Sequence, residues 1–271
     1  MKTLILKIDP GAYDSEAVWP VIEIVRRGGV VVYPTETFYG LGVDAFSAAA
    51  VRKVYALKER DRGKPLSIVV AGLAEAESVA AESAGEDSQG AAAADSQSAA
   101  TGPIPILRRL AAEFWPGPLT IVVKAYRRDF SLPSSREKSS RTPLFKKGDK
   151  ERPVMKGGEG DYRGKSAFAP EMLGPGGTVA LRVPGSAWLR AFLGDLGVPL
   201  TATSANLSGA GEISDPAEII RLFQGKVEAI VDGGTTPGGL PSTVLDLTSN
   251  PPKILREGAV PSRKLVSRRP R

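Results

Sequence analysis

The groups available for chemistry in this chain are bounded first by two absences. Among 271 residues there is no cysteine and no histidine. That removes thiol nucleophiles, disulfides, Cys- or His-ligated metals and the usual general acid–base group near neutral pH. Reactivity must come from Lys, Arg, Asp, Glu, Ser, Thr, Tyr and backbone amides. The densest cationic cluster is Lys58-Glu59-Arg60-Asp61-Arg62-Gly63-Lys64-Pro65, with four cations in seven residues. It follows a helical pattern and precedes a strand pattern, a junction that in α/β folds can open toward a ligand. Cations spaced along such a turn can clamp a triphosphate and neutralise charge on a phosphoryl group in transfer. A solvated helix end, with Lys and Arg favourable at the negative end of the dipole, is the plainer reading of the same residues.

Two hydroxyl-rich turns complete the set. PTETFYGLG (34–42) follows a short apolar strand and can present Thr35 and Thr37 to a small polar ligand, with Gly40 and Gly42 admitting close approach. TATSANLSG (201–209) runs from a strand end into Ser204, Asn206 and Ser208. Arg182 sits in the otherwise apolar TVALRVP, where an unpaired cation is costly, so it calls for a carboxylate partner, either structural or on a ligand. There is no G-x-G-x-x-G. The nearest approach to a P-loop, Gly164-Lys165-Ser166, has Glu159 where the first glycine is required. No acids are spaced for a paired-carboxylate hydrolase, and no metal cage is apparent.

The elements that must position these residues alternate between strand and helix. TLILKI reads as a strand; Val18, Val21, Ile22 and Val25 fall at helical spacing from Ser15 and stop at Gly28-Gly29. VVVY (30–33) is a short buried strand, and Ser47 caps a helix through Val51, Val54, Tyr55 and Leu57. LSIVVAG is a strand, Ile106, Leu107 and Leu110 mark a helix, and LTIVVKA is another strand. TVALRV, a helix capped by Ser186, VPLTATS, a helix opened by Asp215-Pro216, and the strands EAIVDG, STVLDL and KILRE complete the pattern. The fold class is α/β, a single domain over 1–262 built on a twisted mixed sheet. Two long loop insertions interrupt it, at about 83–102 (Ala- and Ser-rich) and 127–177, and a basic tail follows at 263–271.

The net charge of +6 is concentrated. Residues 127–165 contain 12 Lys/Arg and 6 Asp/Glu, and the remaining 232 residues balance at 24 against 24. A basic segment and tail invite a polyanion such as RNA, or serve only solubility. No apolar run approaches the roughly 18 residues of a membrane span, and the start, MKTLILKIDP, is too short in apolar residues for a signal peptide. A cytoplasmic protein with no membrane partner is expected.

In order, PTETFYGLG, KERDRGKPL, FWPGPLT, LRVP, TSANLSG, STVLDL and LREG resemble the YrdC-like threonylcarbamoyl-AMP synthase family (TsaC type), over about 15–260 apart from 83–102 and 127–175. The resemblance implies a twisted α/β sheet around a deep basic concave cavity. It implies condensation of L-threonine, bicarbonate and ATP to threonylcarbamoyl-AMP with release of pyrophosphate. The product would feed a TsaD-like tRNA threonylcarbamoyl transferase machinery, with tRNA or RNA contact through the cavity and the basic insertion. Carried over by motif, Thr35, Ser67, Arg182, Ala202 and Ser242 would bind threonine. Lys58, Arg60, Arg62, Thr178, Ser204, Asn206 and Arg256 would surround ATP, Lys58 and Arg60 acting catalytically and Lys64 contributing more weakly. Mg²⁺ would arrive with the nucleotide. Two departures stand out: the insertions exceed the usual family loops, and the chain is expected to be the short form without the extra C-terminal domain. A non-catalytic RNA-binding module of the same fold is one rival, against which Thr35, Arg182 and Ser204 around a small pocket weigh. A carbamoyl-adenylate-forming domain of the HypF type is another; such proteins carry acylphosphatase, zinc-finger and transfer domains that this sequence does not show.

Overall fold

A computed structural model describes residues 1–80, 103–125 and 168–266. The insertion at 83–102, most of that at 127–177 and the end of the basic tail lie outside the described residues. The element order is β1 (Leu4–Lys7), α1 (Ser15–Arg26), β2 (Val31–Tyr33), β3 (Gly40–Gly42), α2 (Ala48–Lys58), β4 (Ser67–Val69), α3 (Leu73–Ala80), α4 (Pro103–Phe114), β5 (Leu119–Lys124), β6 (Thr178–Arg182), α5 (Ala187–Leu196), β7 (Leu200–Ser204), α6 (Pro216–Phe223), β8 (Ala229–Asp232), β9 (Thr243–Asp246), β10 (Lys253–Arg256) and α7 (Ser262–Val266).

Helix starts follow local chemistry. The Asp14 carboxylate accepts from Glu16 N and Ala17 N ahead of α1, the Ser47 hydroxyl from Ala50 N ahead of α2, Ser186 from Leu189 N ahead of α5, and Asp215 from Ala217 N ahead of α6. Gly28, Gly197 and Gly225 leave their helices with positive φ, the conformation a side chain disfavours.

Among the described residues the strands form one mixed sheet in the order β1-β8-β2-β3-β7-β4-β6-β5-β9-β10. β4 is the pivot: it runs parallel to β6 and antiparallel to β7, so Ser67 stands beside both Ala180 and Ala202. Because side chains alternate along a strand, one register fixes both faces. Leu41, Ile68, Ile121, Leu181 and Leu245 go to one side and join the larger core with residues of α2, α3, α4 and α6. On the other side α1 packs against α5 over Val31, Tyr33, Val69, Leu200 and Val231, with Trp188 stacked on Phe192. Beyond that helix pair this second face carries Gly40, Ser67, Thr120, Ala180, Arg182, Ala202 and Ser204. Small and polar side chains cannot fill the space, and the sheet opens there.

Three expectations need correcting. PTETFYGLG is not wholly a turn: Gly40–Gly42 is a buried strand antiparallel to β2 and β7. The Tyr33 ring covers it, and a Cβ would come within 2.8 Å of that ring at Gly40 and 2.7 Å at Gly42. Second, residues 168–177 belong to the packed domain rather than to an insertion. Phe168, Ala169 and Met172 are buried, Phe168 lies 5.0 Å from Phe46 between ring centroids, and Ala125 N donates to Gly177 O at 2.8 Å. Third, the tail begins as helix α7, with Leu265 packed against the core, so the boundary at 262 is not the end of ordered packing.

Candidate active site

The opening is a cavity of about 310 Å³. Its floor is the face just described, and its walls come from the turn after β2, the loop after α2, the segment before β9 and the end of β10. Of the residues proposed from sequence, Thr35, Arg60, Ser67, Arg182, Ala202, Ser204, Ser242 and Arg256 line it. Lys58, Arg62, Thr178 and Asn206 do not stand on the wall.

Arg60 is placed by an unusual helix end. Glu59 closes α2 at φ +51, a left-handed conformation that a non-glycine residue takes up at a cost of about 1–3 kcal/mol. The reversal turns Arg60 back, so that its Nε donates to Lys64 O at 3.0 Å and its Nη2 to Pro65 O at 3.3 Å. Arg62 and Lys64 remain exposed on the same loop.

Lys58 points the other way. It is 2% exposed, and its ammonium donates to Ser204 O, to Asn206 O at 3.0 Å and to Asn206 Oδ1 at 2.9 Å. Burial, aided by Arg60, pushes its pKa down to about 8, with Glu212 opposing. Ser204 Oγ donates to Asn206 Oδ1 at 2.7 Å, Asn206 Nδ2 donates to Ala210 O at 2.5 Å, and Ser208 N donates to Lys58 O at 3.1 Å. The SAN turn is thus strapped to the end of α2. Thr178 sits at the start of β6, paired with Lys124 and bridged to Gly174, and is not among the lining residues.

The opposite wall carries Ser242 and Arg256. Arg256 Nη2 donates to Ser242 O at 2.8 Å and Oγ at 3.1 Å, and Ser242 Oγ lies 2.8 Å from Thr120 Oγ1. Burial draws the Arg256 pKa below its ordinary value, with Arg182 and Arg60 adding to the effect and Glu212 opposing it. Ser67 Oγ donates to Ala202 O at 2.5 Å, and Thr35 Oγ1 donates to Phe38 O at 2.7 Å.

Arg182 has the carboxylate partner its position demanded, and that partner is a residue the motifs did not single out. Glu36 Oε1 pairs with Arg182 Nη2, while Glu36 Oε2 accepts from Ser186 N at 3.4 Å. Arg182 Nε is buried with no partner among the described residues. Among the described residues, three arginines and seven serine and threonine residues therefore line one concave space, with Glu212 as the acidic residue on its wall. Such a surface suits a ligand with several anionic groups. Among the described residues no group of three or more acids stands together as a metal site, and no helix is long and apolar enough to cross a membrane.

Comparison with known proteins places the chain among relatives of one family. The Sua5/YciO/YrdC family model, described as telomere recombination, matches residues 23–142 and 162–258. The chain is 31% identical over 238 residues to a threonylcarbamoyl-AMP synthase of Pyrococcus abyssi, covering 88% of this chain and 52% of that protein. It is 31% identical over 232 residues to a threonylcarbamoyl-AMP synthase of Thiobacillus denitrificans, covering 86% and 90% respectively. The chain thus spans about half the length of one of these relatives and nearly all of the other. The crystal structure of P. abyssi Sua5 complexed with L-threonine superposes with a TM-score of 0.68 at 26% identity, over 98% of this chain and 61% of that one. The family model covers well over half of the chain and the Thiobacillus relative is matched over most of both lengths, so this chain belongs to the Sua5/YciO/YrdC family.

Proposed function

We propose that this protein is an L-threonylcarbamoyladenylate synthase, joining L-threonine, bicarbonate and ATP and releasing pyrophosphate. The observation that carries the reading is the convergence of Arg60, Arg182 and Arg256 with Thr35, Ser67 and Ser242 in one cavity. Arg182, with its buried Nε unpartnered, is the group for the amino acid carboxylate, and the hydroxyls of Thr35, Ser67 and Ser242 with the carbonyl of Ala202 suit its polar side. Arg60 and Arg256 are the groups for the phosphates, and Ser204, at the end of β7, lines the same cavity.

The chemistry needs no protein nucleophile, which suits a chain without Cys or His. The threonine amine and bicarbonate give a carbamate with loss of water. A carbamate oxygen attacks the α-phosphorus, and pyrophosphate leaves. The protein holds the reactants together and neutralises charge as it develops. Among the described residues a single wall carboxylate, Glu212, stands among hydroxyls, which does not make a cage for a resident metal but fits Mg²⁺ carried by the nucleotide phosphates. The product would pass to a TsaD-like transferase acting on tRNA. Lys58 and Asn206 serve this reading by fixing Ser204. Arg62 and Thr178 keep a role only if a bound nucleotide extends beyond the cavity wall.

The test is pyrophosphate release by the purified protein from ATP, with L-threonine and bicarbonate added singly and together. Release only with both present is expected, and equal turnover without threonine would overturn the assignment.

A further inference from the structure

We infer that Glu36 is a positioning residue for the amino acid subsite, holding one edge of the Arg182 guanidinium so that its remaining donors face a ligand carboxylate. The inference rests on the threonine reading above and deepens it.

Four observations meet at this side chain. Glu36 lies between Thr35 and Thr37, in a turn fixed by Thr35 Oγ1, which donates to Phe38 O at 2.7 Å and accepts from Thr37 N at 3.1 Å. Its Oε1 holds Arg182 Nη2, and its Oε2 accepts from Ser186 N, the cap residue of α5. The chain makes room for it: a Cβ at Gly185 would fall 3.0 Å from Glu36 Cγ, 3.1 Å from Cδ and 3.2 Å from Oε1. Finally, the pair is mostly shielded, at 12% exposure for the Arg182 side chain and 21% for Glu36, yet Arg182 Nε has no partner.

A guanidinium presents its donors in a rigid planar fork. Fixing Nη2 by a carboxylate anchored to a helix start fixes the plane of the whole group. Without Glu36, Arg182 would be free to swing toward other acceptors, and the subsite would lose the orientation of its guanidinium. A carboxylate that merely competed with the ligand for Arg182 would have the opposite effect, since its removal would tighten binding.

The experiment is calorimetric binding of L-threonine to the full chain and to Glu36→Ala, Glu36→Gln and Arg182→Ala, with ATP binding and thermal unfolding measured on each. Glu36→Ala should weaken threonine about tenfold or more while ATP affinity moves less than about twofold. Glu36→Gln, whose amide oxygen still accepts from Arg182, should recover part of that loss. Threonine binding that needs Arg182 but is unchanged or tightened in both Glu36 variants would overturn the role of Glu36 and leave the threonine reading standing. Equal weakening of threonine and ATP in Glu36→Gln would show a merely structural pair and overturn the inference. Failure of the unsubstituted protein to bind threonine at all would overturn the reading on which it rests.

Discussion

Lys58 and Arg60 are two positions apart in one cationic motif, and their surroundings divide their work. Lys58 is buried against three acceptors of the SAN turn, whereas Arg60 is on the cavity wall. Lys58→Ala should therefore cost about 2–3 kcal/mol of stability by leaving buried acceptors unpaired, read as a fall in Tm. Arg60→Ala should leave Tm nearly unchanged and lower kcat about 10²-fold, the usual cost of losing one charge contact in a transition state. Titration separates them further. The folded-state pKa of Lys58, about 8, lies below the ordinary 10.5. Between those values the unfolded chain binds more protons than the folded one, so the Lys58 contribution to stability rises with pH from about 8 to 10. Denaturant midpoints over that range should show the rise in the unsubstituted protein and lose it in Lys58→Met. At this scale, eight of the twelve residues that the family resemblance implied for the site line the cavity, and Lys58, Arg62, Thr178 and Asn206 do not. The motifs did not reveal the inward turn of Lys58, because the left-handed Glu59 that separates it from Arg60 has no glycine to announce it. Nor did they name Glu36, whose partner is 146 positions away, although an arginine on an apolar strand already demanded a carboxylate.

The helices were legible because their starts are written locally: Ser47, Ser186 and Asp215 each cap the run of apolar periodicity that follows. β3 was not, because Gly-Leu-Gly has turn composition and becomes a strand only through what packs on it. Tyr33, directly across in the pairing, covers both glycines and is held by its hydroxyl donating to Thr201 O at 3.0 Å. Gly40→Ala should then force the ring aside and cost about 1–3 kcal/mol by overpacking, with the floor of the cavity disturbed in the same step. Thermal unfolding together with threonine affinity checks this, and a Tm equal to that of the unsubstituted protein would show that the ring contact does not hold the strand.

For the molecule as a whole, composition marked where the regular α/β pattern is interrupted but set one boundary too late in the chain. Residues 168–177 are proline- and glycine-rich enough to read as insertion, yet Phe168 and Met172 reach the larger core and close it beside α2. Phe168→Ala should cost about 3 kcal/mol, where a residue outside the core would leave Tm unmoved. The alternation of the central strands then explains the division of labour across the sheet. Large apolar residues fill one face, while the other is shared between the apolar packing of α1 and α5 and a region of glycine, alanine, hydroxyl and arginine residues that leaves space and donors for ligands. The claim that this space makes a carbamoyl-adenylate is tested most directly by mass spectrometry of the products from ATP, L-threonine and ¹³C-bicarbonate. The account predicts threonylcarbamoyl-AMP one mass unit heavier than with unlabelled bicarbonate, absent when threonine is withheld. Pyrophosphate or AMP formed with no labelled adenylate, under conditions that preserve an authentic standard, would contradict it.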